Sequence, residues 1–136
     1  MTLVADADIQ DPVIQALQAV KYDIVRYSEV GLPIRPDRAL MEALLQSGGI
    51  LLTGDTGIPS QAYLHEYGIH GLTVVLLRWK QQRAKDWQEM VEAILRYGES
   101  WERTAREMPS LISVSRNGSR ERPWHTLPPE LGNRVR

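Results

Sequence analysis

GGILLTGDTGIPSQAYLHEYGIHGLTVVLL, residues 48–77, decides the fold class. Two short apolar runs, Ile50–Thr53 and Leu72–Leu77, bracket a helical segment from Pro59 to Tyr67 that Gly68 ends. A run without polar alternation reads as a strand buried on both faces. Two such strands joined through a helix form a crossover unit, which makes them parallel.

The same alternation extends outward in both directions. Upstream, Thr2–Ala5 (TLVA) and Tyr22–Tyr27 (YDIVRY) read as strands. Between them Asp11–Pro12 opens a helix, with Asp11 as its capping residue and Val13, Leu17 and Val20 at helical spacing. Ser28–Pro36 reads as a loop marked by Gly31, Pro33 and Pro36. Ala39–Gln46 follows as a helix with Leu40, Leu44 and Leu45 on one face, stopped by Gly48–Gly49. Downstream, Trp87, Val91, Ile94, Gly98, Trp101, Ala105 and Met108 step by four and three in alternation, one stripe of a helix running from Ala84 to about Met108. Gly98 within that stripe marks a bend or a close contact. Leu111–Ser115 is a fifth strand, Asn117–Gly118 a turn, and the remainder a loop or arm. The expected architecture is α/β: a three-layer α/β/α sandwich around a mainly parallel sheet of about five strands. One domain is expected over residues 1–124, with 125–136 as a C-terminal arm.

Composition narrows the function classes. At 136 residues the chain suits one domain, and 43% hydrophobic with 24% charged residues is too apolar for a disordered chain. No Cys is present, which removes disulfides, thiolate metal sites and a Cys nucleophile. No apolar run approaches the roughly 20 residues of a membrane span. MTLVADADIQDP lacks the basic flank of a signal peptide, so a cytoplasmic protein is expected. The net charge of −1 hides an asymmetry. Residues 1–37 carry six acids against three basic residues, whereas 116–136 carry five arginines against two acids. This is either uneven solvated charge or an acidic site with a phosphate-facing edge.

The acids favour the second account when placed on the expected sheet. Asp6 follows the first strand, Glu29 the second, and Asp55 the third, while Asp37 opens the helix after the second. All would share the edge at the carboxyl ends of the strands, where ligands of open α/β sheets bind. Carboxylates gathered there repel one another unless protonated or bridged by a cation. Hard divalent ions with oxygen ligands, Mg²⁺ or Mn²⁺, are the usual bridge, and they support phosphodiester chemistry. Each acid also has a structural explanation. Asp37 complements a helix dipole, Asp8 and Asp11 compete to cap the first helix, and Asp55 in TGDTG fits a turn. Their convergence carries the reading. Arg78, Lys80, Arg83 and Lys85 in RWKQQRAK follow the fourth strand onto the same edge, where they could hold phosphates, with Trp79 either stacking on bases or packed in the core. His65 and His70 flank Gly68 as a surface helix end, and His125 has no identifiable partner.

From Leu3 to about Trp124 the chain resembles a PIN-like domain of the short branch found in bacterial toxin–antitoxin pairs. The matching stretches are LVADADI, KYDIVRYSEVGL, PDRALMEALLQSGGILLTGD and LTVVLLRWK, with SLISVSRNGSRERPW resembling the closing hairpin-like strand. The resemblance implies a parallel sheet between helices and Mg²⁺- or Mn²⁺-dependent endonucleolytic cleavage of RNA. By position it implies Asp6, Asp37 and Asp55 as catalytic metal ligands, with Glu29 as a fourth; Asp8, two residues from Asp6 and on its side of an extended segment, could support them. It also implies an antitoxin partner. The long helix could offer a homodimer or antitoxin surface. Three positions depart from the family pattern. Ala7-Asp8 replaces Glu-Asn, and Gly57 stands where a second acid is common, so a non-catalytic PIN-like interaction module is the alternative. LVADADIQ and LLTGD also resemble haloacid dehalogenase-type phosphatases, but Gln10 and Pro59 replace residues of that pattern.

Overall fold

A computed structural model of the chain describes residues 2–30, 37–64, 67–68 and 70–127. Gly31, Pro33 and Pro36 of the expected loop, His65, and the arm beyond residue 127 lie outside the described residues. Strands β1 (Leu3–Ala5), β2 (Ile24–Arg26), β3 (Ile50–Thr53), β4 (Val74–Leu77), β5 (Ser110–Ser115) and β6 (Gly118–Pro123) form one sheet in the order β2-β1-β3-β4-β5-β6. The first five pair in parallel, and β6 returns antiparallel along β5. Helices α1 (Asp11–Ala19), α2 (Asp37–Ser47), α3 (Gly57–Leu64) and α4 (Ala84–Glu107) connect the parallel strands. No helix among the described residues is long and apolar enough to cross a membrane.

The apolar strands are buried on both sides because each face carries its own core. Leu3, Ala5, Leu52, Val75, Leu77 and Ile112 pack with Val13, Leu17, Met90 and Ile94 of α1 and α4. Val4, Leu51, Val74, Leu76 and Leu111 pack with Leu40, Leu44, Ile58 and Ala62 of α2 and α3. This is an α/β/α arrangement with α1 and α4 on one face and α2 and α3 on the other. The steps from β3 to β4 and from β4 to β5 run the same way across the sheet, yet α3 and α4 lie on opposite faces. The β4–α4–β5 crossover therefore has the opposite hand to the other three, against the strong preference for a single hand. Among the described residues no α-helix lies beyond α3 on the α2/α3 face, where Trp124 and Leu127 pack with Leu72 and Leu111.

Three local expectations change. The residue before the first turn of α1 is Gln10, and Asp11 lies inside the helix, where its carboxylate takes Arg26 at 2.7 Å. A guanidinium within reach binds a carboxylate more strongly than a neutral N–H does. The stretch after Asn117, expected as a loop or arm, is strand β6. It pairs with β5 from Ser110↔Pro123 to Ser115↔Gly118, but Arg120, Glu121 and Arg122 give it no apolar alternation to read. The Trp124–Thr126 turn straddles position 124, with the Trp124 indole buried and donating to the Leu72 carbonyl at 2.7 Å. The stripe of α4 is mainly core: Ile94, Gly98 and Trp101 are buried, and Val91 and Ala105 partly so.

Gly98 is a close contact and not a bend, because α4 runs unbroken through it and the Tyr22 hydroxyl occupies the space a Cβ would need. Glycine otherwise costs a helix about 1 kcal/mol relative to alanine. Gly98→Ala is expected to destabilise the protein by about 2 kcal/mol through overpacking. In a Tyr22→Ala background the same change is expected to stabilise by roughly 1 kcal/mol. Urea unfolding of the four proteins checks this, and an unchanged sign would refute the contact.

Candidate functional site

The strand order reverses beside β1, whose neighbours are β2 on one side and β3 on the other. In such sheets the carboxyl ends of the strands at the reversal frame a crevice. Pairing of β1 with β3 continues one residue past Ala5, the Asp6 N–H donating to the Leu52 carbonyl at 2.9 Å. Asp6 is thereby set beside Thr53, the last residue of β3.

Thr53 is fully buried and organises the site. Its hydroxyl lies 3.0 Å from Asp6 Oδ2 and 3.5 Å from Asp8 Oδ1, and it accepts the Asp55 N–H at 3.0 Å. A hydroxyl carries one proton, so it can donate to only one of the two carboxylates at a time. Asp8 Oδ2 accepts the Gly54 N–H at 2.9 Å, Asp6 Oδ1 the Ala7 N–H at 2.8 Å, and Asp55 Oδ1 the Gly57 N–H at 2.8 Å. A Cβ on Gly54 would lie 2.8 Å from Asp8 Oδ2, so glycine is what lets this carboxylate reach the β3 backbone. No Lys or Arg pairs with Asp6, Asp8 or Asp55 among the described residues.

The environment of Asp8 is perturbed. Burial raises the pKa of Asp8, and the charges of Asp6 and Asp55 raise it further, against the opposing hydrogen bonds from Gly54 and Thr53. The structure thus brings Asp6, Asp8 and Asp55 together. Glu29 is exposed in the turn after β2 and accepts from Gln18 Nε2 at 3.3 Å. Asp37 opens α2, and its side chain lies outside the described residues. Among the described residues no group of three or more His, Asp or Glu side chains stands in metal-holding geometry. The donor set, oxygen-only and without a pairing cation, nevertheless has the chemistry a hard divalent ion selects.

Two residues of the site had no motif to mark them. Arg26, at the end of β2, donates to the carbonyls of Ile9 at 2.7 Å and Asp6 at 3.3 Å as well as to Asp11. Gln81 donates to the Asp8 carbonyl at 3.1 Å and accepts the Gln10 N–H at 2.9 Å. Together they clamp the Asp6–Asp11 loop from both sides. Gln81 does so with φ of +57°, a left-handed conformation that costs a non-glycine residue about 1 kcal/mol. The signals were faint: a cationic residue ending a strand, and a glutamine inside a segment conspicuous only for its charge.

That basic segment divides. Arg78, Lys80, Arg83 and Lys85 are all exposed, but Arg83 precedes α4 and lies 3.9 Å from the buried Asp86 carboxylate. Trp79 is buried in the core, so it is not available to stack on bases. Its neighbours on both sides point outward as an extended chain alternates, which directs the indole inward. His70 and His125 are exposed, and neither joins the acids. Comparison of this chain with family models, with characterised proteins and with solved structures yields no significant match.

The sign of the Asp8 perturbation gives a test. A carboxyl whose folded pKa lies above its unfolded value binds its proton more tightly when folded. Its stabilising contribution is present at low pH and is lost as pH rises through the folded pKa. At neutral pH the ionised Asp8 therefore opposes folding. Asp8→Asn, which keeps an acceptor for Gly54, is expected to raise the melting temperature by about 3 °C at pH 7. The gain should shrink as pH falls toward the ordinary carboxyl value of 3.8. Calorimetry across pH checks this, and a lower melting temperature at pH 7 would contradict it.

Proposed function

We propose that this chain is a PIN-like, Mg²⁺- or Mn²⁺-dependent endoribonuclease, the toxin of a toxin–antitoxin pair. Asp6, Asp8 and Asp55 would form its site, with Asp37 as a further ligand from the start of α2. One observation carries the reading: Asp6 and Asp8 share a single hydroxyl, Thr53, with Asp55 bonded to it through its N–H, at the reversal of the sheet. No lysine or arginine pairs with these acids among the described residues. A site built this way is costly unless a cation completes it.

The chain's own groups supply position and polarity. Gly54 N–H fixes Asp8, Thr53 holds Asp6 close to Asp8, and Arg26 with Gln81 keeps the loop between them from relaxing outward. Such fixed geometry avoids reorganisation when charge develops on a phosphate. A bound Mg²⁺ or Mn²⁺ would supply Lewis-acid stabilisation of phosphate oxygens and a more acidic water. Asp6, Asp8 and Asp55 must all be ionised to hold it, so binding is expected to weaken as pH falls through the raised pKa of Asp8. The toxin role and the antitoxin partner are supported by the resemblance. A homodimer has less support, since the α4 stripe is largely occupied by the core.

A second reading has its own observations. Gly57 stands where an acid would complete the site, and the described carboxylates do not close around one point. These favour a non-catalytic PIN-like module that binds a partner protein. Cleavage of a labelled single-stranded RNA separates the two readings. The nuclease is expected to need Mn²⁺, to stop with EDTA, and to lose on the order of 100-fold or more in Asp6→Asn and Asp55→Asn. Mn²⁺ should also raise the melting temperature of the wild type and not of Asp6→Asn. Activity that survives in both variants would be a contaminant's. Neither cleavage nor a Mn²⁺ shift would leave the interaction module.

A further inference from the structure

Beside the acids, on the α2/α3 face that α4 leaves uncovered, lies a cleft of about 660 Å³. Thr56 and Gly57 form its near end, directly after Asp55, and Leu76 and Leu111 line its apolar part. Three arginines, Arg78, Arg120 and Arg122, line it as well. The strand register explains why they converge. The ladder from β4 to β5 continues past Leu77, with Arg78 N–H donating to the Val114 carbonyl at 2.8 Å, so Arg78 shares the face of Leu76. Arg120 and Arg122 lie opposite Ser113 and Leu111 on β6 and share that face too. Thr53, Leu76, Ser113 and Arg120 fall in one row across four strands, placing the Arg120 backbone roughly 14 Å from the acid-bearing strand.

These arginines differ from the others near the hairpin. Arg116 is committed to Asp86 at 2.7 Å and Glu89 at 2.8 Å. Among the described residues, Arg78, Arg120 and Arg122 pair with no carboxylate. Unpaired guanidiniums converging in a concave surface repel one another and are suited to phosphate oxygens. Among the described residues no aromatic side chain lines the cleft, so a ligand there would be held by its backbone charge and not by stacked bases.

We propose that this cleft is the path of a single-stranded polynucleotide, gripped through its phosphates by Arg78, Arg120 and Arg122 and delivered at its near end to the acids. The inference deepens the ribonuclease reading and rests on it for the role of the acidic end. It predicts a ligand read by charge and backbone, with little base preference. Arg120 and Arg122 become its main determinants, although neither belongs to the basic segment after β4.

The test measures anisotropy of labelled 12-mers in EDTA across a salt series, using the full chain. The probes are oligo-U, oligo-A and single-stranded DNA, with an acidic peptide as competitor. Arg120→Ala/Arg122→Ala is expected to bind about tenfold more weakly, with the slope of log affinity against log salt smaller by about 1.4. Arg103→Ala/Arg106→Ala, the same charge change on exposed positions of α4, should bind as the wild type does. Asp6→Asn should bind RNA at least as tightly. Both cleft arginines are exposed, so unchanged melting temperatures will verify folding. Wild-type affinity in the cleft variant, or an equal loss in the α4 variant, would overturn the proposal. So would capture of the acidic peptide without binding of any polynucleotide, which would make the cleft a protein-docking site. Cleft-dependent RNA binding without Mn²⁺-dependent cleavage would uphold the path and refute the nuclease. Unaltered binding in the cleft variant beside metal-dependent cleavage would do the reverse.

Discussion

One backbone hydrogen bond, from the Asp6 N–H to the Leu52 carbonyl, sets the geometry on which the candidate site depends. It carries the β1–β3 pairing one residue beyond the apolar run, so an acid is held in ladder register at the rim of the sheet. Thr53 then meets Asp6 as a consequence of register, and Asp8 and Asp55 meet Thr53 because their loops leave from the same two strands. Nothing in the core requires carboxylates at this point. The core requires only that β1 and β3 pair, and the acids occupy the first positions where burial releases its hold on residue type.

Holding like charges together is unfavourable, and the surrounding structure offsets it locally. Amide N–H groups cap one oxygen of each carboxylate, and Thr53 contributes a single proton. Gly54 lets Asp8 approach the backbone where any side chain would push it away. Arg26 and Gln81 hold the connecting loop by its carbonyls, Gln81 in a strained backbone conformation. A left-handed glutamine, like charges without a pairing cation among the described residues and a glycine against a carboxylate thus gather in one small region.

The second organising feature is the placement of α4. Its apolar stripe packs beside α1, so the crossover from β4 to β5 takes the unusual hand, and among the described residues no α-helix covers the opposite face beyond α3. The short antiparallel β6 then closes the sheet on that open side with charged residues that no helix has to bury. Arg116 is drawn off to the buried Asp86. Burial pushes the Asp86 carboxyl up, but the N–H groups of Gln82 and Arg83 and the charges of Arg83 and Arg116 hold it below its ordinary value. Arg78, Arg120 and Arg122 line the cleft that begins just after Asp55.

Much of this was legible in the residues themselves. Apolar runs separated by helical periodicity forced a parallel sheet between helices, because such runs can be buried only when both faces are covered. A parallel sheet, in turn, carries the residues after its strands to a common edge, which put Asp6, Glu29, Asp37 and Asp55 forward together. Asp8 was read as a supporting acid, and only its depth beside Gly54 made it an equal member. The tertiary structure alone decided the rest. Side-chain type does not encode which carbonyl a strand-end arginine will reach, so Arg26 and Gln81 carried no motif. Strand β6 had no apolar alternation, since pairing with β5 and not burial forms it. Trp79 went to the core and the Gly98 contact was chosen over a bend by packing between elements distant in sequence. Periodicity reports what must be buried; only the folded chain fixes which polar groups then meet.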